Sequence, residues 1–300
     1  MTSNWIQLSL TFAIEIMIES VNLIVVGHLN DEVTLAAVSL GHNIVIMLIL
    51  STIMGTDSAL ETHVAHAYGA RQFRLCGEIL NRARFILLMM LIPLTLILSQ
   101  AESILLLLGQ DPEVSQIAAK YIMYMIPSMV MFGLFDANRL FLNCLDETTV
   151  ATTLVIVALP LHGLLSYYIV YGLGMGWVGV NLAMFITYSF LFVSITLYSI
   201  FMKNPDVRKS FHAPNAESFK EWWMIIELAV PGAFLYMVEW VACEGLIIFS
   251  GLLGVAEQST FGIILILMPI LMCFTFGMQY AIPIYAGKSM GDGEVKNAYT

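Results

Sequence analysis

The sequence predicts an all-α, polytopic membrane protein of about eight transmembrane helices: a six-helix N-terminal lobe and the first two helices of a second, repeat-related lobe. Three observations carry this. Of 300 residues, 59% are hydrophobic and 11% charged, with a mean hydropathy of +0.85, whereas soluble domains carry roughly 25% charged residues. Apolar windows of about 20 residues, enough to cross the hydrocarbon core of a bilayer, recur along the whole chain. Positive charge gathers beside alternate connections.

The first window, 5–26, starts abruptly near Trp5. It lacks a basic leading region and an A-x-A-like cleavage site, so it reads as a membrane helix rather than a signal peptide. The second, 35–60, follows Asp31 and Glu32, and the third, 80–99, follows a run of arginines. Residues 101–108, "AESILLLL", are too short to span and are expected to lie at the interface. The fourth window, 118–142, ends in "FDANRLFLN", and the fifth, 150–171, holds Pro160 and His162. "GLGMGWVG" at 172–179 contains G-x-G-x-x-G, but apolar spans flank it and no soluble strand precedes it. It reads as a tight turn rather than a dinucleotide site. The sixth window is 178–201. The longest hydrophilic stretch, "KNPDVRKSFHAPNAESFKE" at 203–221, marks the lobe boundary. It divides the chain into an N-terminal lobe (1–202), a linker (203–222) and the start of a second lobe (223–300), with windows at 224–250 and 260–284.

Arg71, Arg74, Arg82, Arg84, Arg139, Lys203, Arg208, Lys209, Lys220, Lys288 and Lys296 all fall beside even-numbered connections, and only Lys120 does not. By the positive-inside rule those connections and the N-terminus are expected to be cytoplasmic. Which membrane is concerned, plasma or vacuolar and endomembrane, is left open. The net charge of −10 argues against a nucleic-acid partner. Cys76, Cys144, Cys243 and Cys273 form no C-x-x-C and suggest neither a disulfide frame nor a zinc site. H-E-x-x-H and G-x-S-x-G are absent, so an enzyme is not expected. No cofactor is indicated.

An internal repeat links the lobes. "GTDSALETHVAHAYGA" (55–70) and "GMQYAIPIYAGKSMGD" (277–292) align at an offset of 222, laying Gly55, Ala59 and Gly69 on Gly277, Ala281 and Gly291. An even number of helices separates the copies, so both point the same way. Parallel repeats of this kind build two-lobed transporters.

The candidate site residues are ionisable or polar groups inside apolar helices, where a carboxylate costs on the order of 2.5–3.5 kcal/mol or more and marks function by default. "MVEWVACEGLIIF" (237–249) carries Glu239 and Glu244. Five residues turn a helix by about 140°, so the two cannot share one narrow face. One is expected to face a cleft and the other the interior of its lobe, with structural hydrogen bonds as the alternative. In helix 1, Glu15, Glu19 and Asn22 fall at i, i+4 and i+7, on one face; a solvated boundary position is the alternative for Glu15 and for Glu19. Asp57 and Glu61 (i, i+4) are expected at the cytoplasmic end of helix 2, as a gate or latch within reach of Arg71 and Arg74, or as a hydrated helix end. Asp136 and Arg139 (i, i+3) are expected to form an ion pair inside the first lobe or at its rim. His162 in mid-helix 5 is either a proton relay or a satisfied core histidine. Tyr236, Trp240, Trp177 and Phe249 offer ring faces to a cation or simply pack. His63, His66 and Glu61 lack a fourth partner for a metal. Pro231-Gly232 is the leading hinge candidate among the helix prolines, which include Pro127, Pro160 and Pro269.

"VVGHLND", "LAAVSLG", "SALETHVAHAYGARQ", "GQDPEVSQIAAKYI", "RLFLN" and "VPGAFLYMVEWVACEGLIIFSGLLG", in that order from near residue 20 to residue 300, resemble the eukaryotic branch of the multidrug and toxic compound extrusion (MATE) family. The resemblance implies twelve helices in two six-helix lobes around a central cleft. It implies a monomeric secondary antiporter in the bilayer that exports small organic cations against protons, or sodium as the alternative coupling ion. It places Glu239 and Glu244 on the paired helix-7 glutamates used for cation binding and proton coupling. It puts Asn22 where prokaryotic relatives carry a coupling aspartate, and His162 where they carry an asparagine. The chain departs from the pattern by stopping after the eighth helix, so it is expected to be a fragment or truncated gene model. A fragment without autonomous transport is therefore one alternative. A flippase of lipid-linked intermediates is another, disfavoured by acidic rather than basic groups at the expected cleft.

Overall fold

The computed structural model describes residues 2–29, 32–253, 275, 277–279 and 281–293. The helices are α1 (Thr2–Gly27), α2 (Glu32–Val45), α3 (Ser51–Gly69), α4 (Phe73–Leu98), α5 (Ala101–Leu107), α6 (Pro112–Cys144), α7 (Thr148–Tyr167), α8 (Gly176–Ile200), α9 (Pro205–Arg208) and α10 (Trp223–Leu253). Among the described residues, seven helical segments are long and apolar enough to cross a membrane. The first six correspond to the first six windows, with α2 and α3 joined through a π-helical turn, Ile46–Leu50, into one span, Val33–Gly69. The seventh is Trp223–Ala242 on α10. The eighth window, 260–284, lies almost wholly outside the described residues; helix is described over 281–291. The chain is thus a multi-pass membrane protein.

Local chemistry sets the helix ends. Asp111 caps α6, its carboxylate accepting from the N–H groups of Glu113 and Val114, with Pro112 in the first turn. Within the spans, hydroxyls donate back to the carbonyl one turn earlier, as Thr52 to Leu48, Thr56 to Thr52 and Ser199 to Ile195 do. These bonds spare those hydroxyls from standing bare in an apolar setting. The α5 helix turns Leu106, Leu107 and Leu108 outward, as an interfacial helix should.

The N-terminal lobe is organised around α6, which packs against α2, α3, α4, α5, α7 and α8. Its core includes Ile53, Leu60, Phe135, Leu140, Phe141 and Leu191, all essentially inaccessible. Leu96, Leu164 and Val193 on the outer faces are exposed, which in a bilayer is the lipid-facing surface.

The linker is pinned to α4. Arg82, 2% exposed, donates to the carbonyl of Glu217 and pairs with Glu221 at 3.3 Å. Asn81 donates to the carbonyl of His212 at 3.1 Å. On its outer side Lys220 donates to Glu217 at 2.7 Å, which holds the Glu217 carboxyl below its ordinary range and raises the Lys220 ammonium.

Beyond the linker, α10 lies across α3. The two backbones meet at Gly55, where a side chain would run into the backbone of Ala229 and Ala233, and Gly232 faces Gly55 and Ser58 in return. Pro231-Gly232, the expected hinge, thus sits at the helix crossing inside a continuous α10. The contact continues along 281–291: Gly287 lies against Ala65, Gly291 against His66, and Gly69 against Lys288. The two repeat copies therefore pack on each other, small residue to small residue. Lys288 reaches Asp146 at 2.7 Å, and the carbonyl of Met224 lies 3.0 Å from His63 Nε2. These contacts close the end of the molecule that carries most of the basic residues.

Candidate functional site

One face of α1 supplies a polar track through the first lobe. Glu15, Glu19 and Asn22, spread over about 10 Å of helix, meet partners from three other helices. Arg139 Nε on α6 lies 3.5 Å from Glu15, Tyr188 on α8 donates to Glu19 at 2.5 Å, and His162 on α7 meets Asn22 at 2.9 Å.

His162 is fully buried, and its two ring nitrogens are 2.9 Å from Asn22 Oδ1 and 2.9 Å from Thr187 Oγ1. Asn22 Nδ2 is directed at Met184 Sδ at 3.5 Å, which turns the amide oxygen to the ring. Ser166 Oγ is 3.4 Å from His162 Nε2. The single hydroxyl proton of Thr187 is within reach of the Ala183 carbonyl at 2.8 Å. An amide oxygen only accepts. When Thr187 donates to Ala183, both ring nitrogens face acceptors, and every partner is satisfied with a proton on each nitrogen. When the ring is neutral, Thr187 can rotate its hydroxyl to the bare nitrogen. The network accommodates either state without moving a backbone atom.

Deeper toward the basic end lie the remaining predicted groups. Arg139 binds Asp136 through Nε at 2.5 Å and also through Nη2, so Asp136 and Arg139 form an ion pair wholly inside the lobe. Arg139 is accordingly a buried interior charge and not a residue of a connection, as the charge count along the sequence had placed it. Asp57 and Glu61 are 2% and 3% exposed and face Asp136 and Arg139. This corrects two expectations: they are not a hydrated helix end, and Arg71 and Arg74 do not pair with them. Arg74 instead meets Glu78 at 3.3 Å. The cause is the length of α3, which runs to Gly69 and leaves Asp57 and Glu61 well inside the span. The sequence window for helix 2 ended at 60.

Of the second-lobe candidates, Tyr236, Glu239 and Trp240 share one side of α10 at i, i+3 and i+4. Glu239 is exposed and Tyr236 and Trp240 half-buried. Tyr236 accepts from Gln279 at 3.2 Å and stands near Glu61, Asp57 and Glu239, joining this face to the first lobe. The side chains of Glu244 and Phe249 lie outside the described residues. Trp177 packs on Tyr121 and Tyr124, within the first lobe and away from α10. Sequence reading did not single out Tyr188 or Thr187. Their only signal was the polar triplet "TYS" (187–189) in a largely apolar helix that carries other hydroxyls as well.

A family model described as MatE matches residues 8–168. Protein DETOXIFICATION 17 of Arabidopsis thaliana is 30% identical over 278 residues, a match covering 92% of this chain and 58% of that protein. Multidrug and toxin extrusion protein 1 of Oryctolagus cuniculus is 27% identical over 284 residues, 94% of this chain and 49% of that one. The chain thus spans about half the length of the curated relatives it matches. Among solved structures, the eukaryotic MATE transporter AtDTX14 superposes with a TM-score of 0.90 at 23% identity, covering 99% of this chain and 67% of that one. An outward-facing multidrug resistance MATE transporter of the MOP superfamily superposes with a TM-score of 0.83 at 17% identity, covering 99% and 65%.

Proposed function

This chain belongs to the MatE family, and on that premise we propose that it works as a secondary antiporter that exports small organic cations in exchange for protons. The basic end of the bundle is cytoplasmic in this reading, and so is the N-terminus. A cation enters from that side between the lobes and meets the Tyr236, Glu239 and Trp240 face of α10, whose ring faces and carboxylate suit a positive guest. Glu244 on the same helix is the second carboxyl candidate. Arrival of the cation drives a proton off a carboxyl, because two positive charges compete for one negative group. Rocking of α10 and its partners against α3 then opens the opposite side, and reprotonation there expels the cation.

The observation that carries the proton half of this reading is the His162 network. It is a buried imidazole held by Asn22 and Thr187 in a way that serves both its protonation states. Asn22 cannot ionise, and His162 beside it can. Glu19, bound to Tyr188 one turn along α1, is the neighbouring carboxyl of the track.

The test is uptake of a fluorescent organic cation into proteoliposomes holding the chain, with proton and sodium gradients imposed in turn. Proton-driven uptake that is lost in Glu239→Gln supports the reading. Uptake driven only by sodium would replace the proton as coupling ion. Uptake equal to that of Glu239→Gln under every gradient would remove Glu239 from the mechanism.

A further inference from the structure

We propose that Asp57, Asp136, Glu61 and Glu15, gathered around Arg139, form a second proton-holding site in the first lobe, separate from the His162 network and sealed from water where α10 covers α3. Its ligand is the proton, held between carboxyl groups. The inference does not depend on the transport reading.

Charge is the first argument. The four carboxyls and the guanidinium are each at least nine-tenths buried. If all were ionised, one positive charge would face four negative ones inside an apolar bundle. Such uncompensated charge is avoided by taking up protons.

Geometry is the second. Among the described residues, no N–H or O–H group donates to either oxygen of Asp57, nor to Oε1 of Glu61. The carboxyl of Asp136 stands within hydrogen-bonding reach of Asp57. Two carboxylates offer only acceptors to each other, so that contact requires a proton on one of them. Asp136 also accepts from Arg139, whereas Asp57 has no donor of its own among the described residues, so the shared proton is assigned to Asp57.

An independent group points the same way. Asn143, 2% exposed, follows Arg139 by four residues and Asp136 by seven, on the same face of α6. Neither its oxygen nor its nitrogen has a hydrogen-bond partner among the described residues. A buried amide without partners is costly, and this one offers both a donor and an acceptor beside the cluster.

The groups facing the site can be named helix by helix. Among the described residues they are Glu15 and Glu19 from α1, Asp57 and Glu61 from α3, Asp136, Arg139 and Cys144 from α6, Tyr188 from α8 and Tyr236 from α10. The nearby cations are engaged elsewhere: Arg82 with Glu221 and Glu78, Arg84 with Asn81 and Asn138, and Lys288 with Asp146. Tyr236 stands over Asp57 and Glu61 from α10, and the Gly55–Ala233 contact closes the same face. Parting of α10 from α3 would wet the two carboxyls and let the proton exchange.

The test is infrared difference spectroscopy of the whole chain in lipid nanodiscs at neutral pH, read in the carbonyl-stretch region of protonated carboxyls. Asp57→Asn and Asp136→Asn should each remove the same component of that absorption, and the double variant should remove no more than either alone. If neither variant folds, Glu61→Gln should shift the component. On transfer to D2O, the component should exchange slowly in the unsubstituted chain and at least tenfold faster in Gly55→Val, which wedges α10 from α3. An absorption untouched by these variants would overturn the proposal. So would a component that vanishes with sodium chloride and returns with choline chloride, since the site would then hold sodium. The component present and removed as stated in a chain that carries no cation would sustain it while the transport reading failed.

Discussion

His162 on α7 and Asn22 on α1, 140 positions apart in the chain, meet at 2.9 Å in the interior of the first lobe. The contact joins an amide that never ionises to an imidazole whose two ring nitrogens can each donate or accept. Replacing His162 by Leu should leave the buried Asn22 oxygen without its partner, while Thr187 keeps its bond to the Ala183 carbonyl, at a cost of about 1–3 kcal/mol. His162→Gln keeps a donor and an acceptor and should recover most of that loss. Thermal unfolding in detergent, compared for the two variants, measures the difference; equal loss in both would show that volume matters there and hydrogen bonding does not.

The Tyr188–Glu19 bond crosses from α8 to α1 at 2.5 Å. If it orients the carboxyl for coupling, Tyr188→Phe should weaken proton-driven uptake several-fold and Glu19→Gln by tenfold or more. Combined, they should be no worse than Glu19→Gln alone, because the tyrosine acts through the glutamate. Strictly multiplicative losses would mean independent roles.

Arg139 is the one guanidinium among four buried carboxyls. Its removal in Arg139→Leu should cost about 3–5 kcal/mol, the range for breaking a buried charge pair. Folded yield in membranes should therefore drop sharply. Arg139→Lys retains the charge without the forked geometry that binds Asp136 through two nitrogens, and should be intermediate. Normal yield of Arg139→Leu would contradict the assigned ion pair.

Gly55 allows α10 to touch α3, and a side chain there would meet the backbone of Ala229 and Ala233. Gly55→Val should hold the basic end open. Cysteines placed at Ser58 and Ala233, one beside and one at the crossing, should crosslink readily in the parent and slowly in the Gly55→Val background. By contrast Lys288→Met, which removes the partly exposed bond to Asp146, should change stability by no more than about 1 kcal/mol. Chemical denaturation of the two variants separates packing from charge.

Most of the fold was legible because membrane helices announce themselves by length and apolarity, and seven of the eight windows fell on observed spans. The spacing of Glu15, Glu19 and Asn22 also read correctly as one face, since helical periodicity is independent of what the face meets. Two things were hidden. Helix ends are set by caps and turns rather than by hydropathy, so α3 proved longer than its window and Asp57 and Glu61 moved from an end to the interior. Partners from distant helices, such as Tyr188 and Thr187, leave no mark in spacing, because one hydroxyl in an apolar helix looks like any other until the helix opposite is in place. The repeat was visible as an offset, but its consequence, glycines of one copy packing on the other, required the assembled lobes.

The most direct measurement of the central claim is proton-gradient-driven uptake of a fluorescent organic cation by proteoliposomes containing either the parent chain or His162→Gln. A working parent and a His162→Gln variant that folds equally well but loses uptake at least tenfold is the predicted result. Uptake by His162→Gln that keeps the parent's rate and its response to the proton gradient would contradict the account.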